Sequence, residues 1–181
     1  MRMRLLAGAV LVAALGAAPV ARAADDGVNL STVTCGEARK DGAAVGFRFL
    51  GAAYAGRLAA KAGHARFSPD LVKVLGDALR RACEGTDAAD RKLADVVAGI
   101  AIPAKGDKDR DFATMTCAQL APLWKEEARQ MVPFLVALRD ATDATPLTKV
   151  RLDKVGDGLP KTCREAGNEK KLVLDLVKGL Q

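Results

Sequence analysis

The chain has 181 residues, with 28 Lys or Arg, 22 Asp or Glu and one His; half are apolar, yet 35 are Ala and only seven aromatic. Disorder is excluded, because it needs low hydrophobicity with high net charge. An all-β fold is disfavoured, since strands draw on β-branched and aromatic side chains while Ala, Leu, Lys, Arg and Glu favour helices.

Residues 1–23 read as an export signal. Arg2 and Arg4 charge the start, Leu5 to Val20 is apolar apart from Gly and Pro19, and Ala21-Arg22-Ala23 supplies the small residues of a cleavage site. The apolar run is short for a membrane span and Pro19 interrupts it. Removal of the segment takes three Arg from the 28 basic residues, leaving 25 against 22 acidic and a net charge of about +3. Mixed charge with no basic run among aromatics argues against a nucleic-acid partner. No later stretch is apolar enough to span a membrane, so the expected product is a soluble periplasmic protein.

The rest of the chain reads as a duplication. Thr32-Val33-Thr34-Cys35-Gly36-Glu37 matches Thr114-Met115-Thr116-Cys117-Ala118-Gln119, and Gly76-Asp77-Ala78-Leu79 before Cys83 matches Gly156-Asp157-Gly158-Leu159 before Cys163. Asp95, Val97, Gly99 and Ile100 then fall opposite Asp175, Val177, Gly179 and Leu180. Unit 1 spans 24–102, a charged linker 103–111, and unit 2 112–181. The expected fold is all-α: two tandem disulfide-stapled bundles of about three helices each.

In unit 1 the first helix starts at Cys35, because Thr34 and Glu37 have capping-box spacing, and places Phe47, Leu50, Tyr54 and Leu58 on one face. The second starts at Ser68-Pro69, an N-cap followed by Pro, and runs to Cys83. The third follows Asp87 and stops near Gly99. Unit 2 repeats this: a first helix capped by Thr116 and Gln119 with Leu120, Trp124, Met131, Leu135 and Leu138 on one face, a second from Thr145-Pro146 that Pro160 loosens at its end, and a third from Asn168 to near Gly179.

Four cysteines in an oxidising compartment imply two disulfides. There is no C-x-x-C, so zinc-ribbon and thioredoxin chemistry lack their local signature. If the first two helices of each unit pack antiparallel, the layout brings Cys35 to Cys83 and Cys117 to Cys163. Closing such a loop restricts the unfolded chain by about 4 kcal/mol on the loop-entropy argument.

No enzyme motif stands out, and no cofactor or metal is expected. His64 lies in the loop Gly63-His64-Ala65-Arg66 with no nucleophile nearby. Glu126 and Glu127, between Lys125 and Arg129, read as a solvated face with local ion pairs. Gly42, Gly46, Gly51 and Gly56 lack the strand-then-helix setting of a phosphate loop and point to close helix packing or kinks. Phe47, Tyr54, Trp124 and Phe134 read as core.

A leader, a Thr-Cys pair opening a helix, the apolar stretch Phe47-Arg48-Phe49-Leu50-Gly51-Ala52-Ala53-Tyr54 and a second cysteine 48 residues on together resemble the HdeA-like acid-stress chaperone family. Thr116-Cys117-Ala118-Gln119-Leu120, Met131-Val132-Pro133-Phe134-Leu135 and Cys163 carry the resemblance a second time. It implies a periplasmic holdase that is folded at neutral pH, loosens in acid and holds unfolded or acid-damaged periplasmic proteins through exposed apolar faces. The candidate client-binding residues are Phe47, Phe49, Leu50, Tyr54, Trp124, Met131, Phe134 and Leu135. A tandem chain departs from the family's dimers, and its two copies could pack on each other as an internal pseudo-dimer. The alternative is a non-catalytic protein-binding module, such as an immunity-type inhibitor of a secreted toxin, with one rigid surface at neutral pH.

Overall fold

The computed structural model describes residues 27–40, 46–103, 105–140 and 145–180. The expected leader at 1–23 and Gly42 lie outside these residues. The chain is mostly helical, with seven helices among the described residues, and both expected disulfides are present, each joining cysteines whose Cα atoms are 5.2 Å apart.

The first half opens with α1 (Cys35–Lys40) and α2 (Gly46–Lys61), where one first helix is expected; α5 (Cys117–Arg139) is the unbroken counterpart. Reciprocal bonds cap α1: the Thr34 N–H donates to Glu37 Oε2 (2.8 Å) and the Glu37 N–H to Thr34 Oγ1 (3.3 Å). At α5 the Thr116 N–H donates to Gln119 Oε1 (2.9 Å). Buried Ser68 caps α3 (Pro69–Ala82) by accepting the Leu71 N–H at 3.3 Å.

Three helix starts differ from expectation, each because backbone pairing claims the residues first. α6 (Lys149–Arg164) begins after Thr148, whose hydroxyl accepts the Arg151 N–H, rather than at Thr145-Pro146. Leu147 exchanges two backbone bonds with Val28 (3.1 and 2.9 Å) and is therefore extended. The helix also continues through Pro160, expected to loosen it, as far as Arg164. The third helices begin at Leu93 (α4, Leu93–Ala98) and Val173 (α7, Val173–Gly179) instead of following Asp87 and Asn168. Ahead of them the chain clips onto the Thr-Cys segments: Cys35 donates to Arg91 O (2.9 Å) and Leu93 to Val33 O (3.0 Å), while Cys117 donates to Lys171 O (3.1 Å) and Val173 to Met115 O (2.9 Å).

The last two linker residues form a strand. β1 (Arg66–Phe67) and β2 (Arg110–Asp111) pair antiparallel, Arg66 opposite Asp111 and Phe67 opposite Arg110. This ribbon carries Phe67 and Phe112 onto Phe134 of α5. Phe67 meets Phe134 edge-on with centroids 5.2 Å apart, and Phe112 lies 5.8 Å from Phe134; all three rings are fully buried. Arrangements of this kind add about 0.5–1.5 kcal/mol per pair beyond area burial.

One apolar cluster runs through both halves, joining Leu50, Ala52 and Tyr54 of α2 to Met131, Phe134 and Leu135 of α5. Two stapled halves thus share a core. α2 is its central element, packed between α3 and α5. Every residue from Leu50 to Arg57 is buried, so along that run the helix has no solvent face. Small residues permit this. A Cβ on Gly51 would sit 2.7 Å from Val72 O, and one on Gly56 only 2.3 Å from Phe134 O, so at these crossings backbone touches backbone.

Gly56→Ala should therefore destabilise the protein by roughly 1–3 kcal/mol through overpacking, read as a lower denaturant midpoint. Gly179→Ala, with open space around its Cβ, should move it by less than about 0.5 kcal/mol. Equal effects at the two glycines would contradict the close helix contact.

Candidate functional site

The eight apolar candidates do not form an exposed surface. Leu50 and Tyr54 on α2 and Met131, Phe134 and Leu135 on α5 meet in the shared core, while Phe47, Phe49 and Trp124 are half-buried against it. Trp124 stands apart, beside the Cys117–Cys163 bridge in a groove between α5 and α6. Phe67 and Phe112, central to the core, escape a reading by helical period because each sits at a two-residue strand.

The polar groups of the core are anchored. Burial pushes the Tyr54 phenol upward, against the nearby Arg57 charge, so it stays protonated and its O–H donates to Leu30 O at 2.7 Å. Arg57 is 9 % exposed and donates to Ser31 Oγ at 3.4 Å. Burial draws its pKa downward, partly offset by Tyr54.

At the end of α5 a carboxylate ties three helices together. Arg139 Nε donates to Asp140 Oδ1 (2.7 Å) and its Nη2 to Oδ2 (2.9 Å), while Arg151 of α6 reaches Oδ2 at 2.6 Å. The remaining Arg139 nitrogen donates to Leu180 O, the C-cap of α7. Partial burial raises the Asp140 pKa, but the bonds and charges of Arg139 and then Arg151 outweigh it and hold the carboxyl below the usual range. Its ionised form therefore stabilises the fold above the ordinary aspartate value. That contribution fades as pH falls through the depressed native value.

His64 is exposed, its Nδ1 accepting the Arg66 N–H at 3.3 Å. Glu126 and Glu127 form no ion pair among the described residues, contrary to expectation; Glu127 Oε2 is covered and lacks a hydrogen-bond partner there. The described residues bring no three His, Cys, Asp or Glu together as a metal site, and none of their helices is long and apolar enough to cross a membrane.

Asp140→Asn should lower stability at neutral pH by roughly 1–3 kcal/mol, because it leaves two arginines short of a charged acceptor. The gap to the native chain should close as pH falls below the ordinary aspartate range, in urea melts run at stepped pH. A gap that does not change with pH would remove Asp140 from any acid response. Comparison with protein-family models, curated proteins and solved structures finds no match, so the functional reading rests on the residues themselves.

Proposed function

We propose that this chain is a non-catalytic, conditional holdase of the periplasm, related in action to the HdeA-like acid-stress chaperones, built as an internal pseudo-dimer. The observation that carries the reading is the sequestration of Leu50, Tyr54, Met131, Phe134 and Leu135 in a core shared between two covalently stapled halves. Client-holding surface is absent from the folded state and becomes available only when the halves part.

Acid supplies a route. Beyond residue 23 the chain carries 25 basic and 22 acidic side chains, so full protonation of the carboxylates, with His64, takes the charge from about +3 to about +26. Self-repulsion then opposes the compact state while the Asp140 clamp weakens. The disulfides hold each helix pair together as the core loosens, and the acquired charge keeps an occupied chaperone soluble. Clients are unfolded or acid-damaged periplasmic proteins, bound through apolar contact alone.

An apolar dye such as ANS should bind weakly at neutral pH and strongly near about pH 2, with helical content largely kept. Under the same conditions the protein should suppress aggregation of an acid-denatured client at near-stoichiometric ratio. Prior reduction of both disulfides should abolish refolding on neutralisation. A chain that stays dye-free and inert in acid refutes the proposal.

A further inference from the structure

Beside the second disulfide lies a groove of about 420 Å³, within the range of roughly 300–1,000 Å³ typical of small-molecule sites. Its floor is Leu120, Ala121, Trp124, Pro160 and the Cys117–Cys163 bridge, and its rim carries Lys125, Arg164 and Glu169. We propose that this groove is a binding site for a single-chain anionic amphiphile, an alkyl carboxylate whose tail lies along Trp124 and whose head group meets Lys125 and Arg164. The inference concerns the folded protein at neutral pH and stands independently of the holdase reading.

Two observations carry it. The first is charge complementarity: an apolar floor ends at a rim with two cations against one carboxylate. Arg164 Nε donates to Pro160 O at 2.9 Å, a bond that leaves four of the guanidinium's five N–H donors uncommitted by it. Among the described residues Lys125 forms no ion pair or side-chain hydrogen bond, and both cations are exposed.

The second is the fate of the matching place in the first half. Four residues after Cys35 stands Arg39, which reaches across and donates to Gly85 O at 2.7 Å. Four residues after Cys117 stands Ala121, which offers only a methyl group and lines the groove. One residue after Cys83 is the acid Glu84, paired with Arg80 at 3.1 Å; one residue after Cys163 is the cation Arg164. So at these two positions the first half carries a long cation and an acid where the second carries a methyl group and a cation.

Trp124 is the chain's only tryptophan, so its fluorescence reports the site directly. Titration with sodium decanoate below its micelle concentration, at neutral pH, should give a saturable emission shift. Decyltrimethylammonium, with the same tail and the opposite charge, should bind about ten-fold more weakly or not at all. Ala121→Arg, which sets a long side chain into the groove, should abolish the shift. The exposed pair Lys125→Glu with Arg164→Glu should weaken decanoate about ten-fold while leaving the circular dichroism unchanged, and it decides the matter should Ala121→Arg fail to fold. Equal binding of the two amphiphiles, retention of the shift in folded Ala121→Arg, an undiminished affinity in the charge-reversed pair, or no saturable change would each overturn the proposal.

Discussion

The architecture depends on a helix crossing with no room for a side chain. α2 meets α5 where Gly56 lies under the Phe134 carbonyl, and on its other flank Gly51 meets α3 at Val72 and Gly76. Backbones this close allow Ala52, Ala53, Ala55 and Ala59 to be buried although each offers only a methyl group. An alanine-rich helix has little apolar area to contribute by volume, so it must gain by proximity. That is how a chain with seven aromatics builds a core. The three phenylalanines fill what the small residues leave, and the two-residue ribbon holds two of them in position.

The covalent and electrostatic ties act on different parts of the molecule. Each disulfide works within a half, together with the backbone clip that follows its second cysteine. The apolar crossing of α2 and α5 works between halves, assisted by the ribbon and the Val28–Leu147 bridge. Asp140 with its two arginines secures α5, α6 and α7. Protonation of Asp140 weakens a tie within the second half, on α5, α6 and α7, and leaves the sulfur bridges intact.

Much of the local structure was legible. The Thr34–Glu37 and Thr116–Gln119 caps and the Ser68-Pro69 start follow from short-range chemistry written in adjacent residues, and both cysteine pairings from the expected antiparallel packing of two helices. What escaped is what depends on distant partners. Thr145-Pro146 has the form of a helix start as good as Thr148, and only the pairing of Leu147 with Val28 decides between them. Residues 87–92 look helical until the clip to Val33 and Cys35 is known. Phe67 and Phe112 carry no periodic signal because two residues make no period. Leu50, Tyr54, Met131 and Leu135 were legible as helix faces, but which face meets which is set by the Gly56 contact. The groove at Trp124 was invisible, since it is a gap between α5 and α6 that brings together residues about 40 positions apart.

The Val28–Leu147 bridge bears on the order in which the molecule is made. The two residues are 119 positions apart by their numbers (147 − 28), and at ribosomal rates of about 5–20 residues per second the second follows the first by roughly 6–24 s. Early in that interval α2 lacks the helix that covers Gly56. Nascent chains must therefore wait half-made, with a greasy alanine surface in the open, until translation reaches α5 and then Leu147.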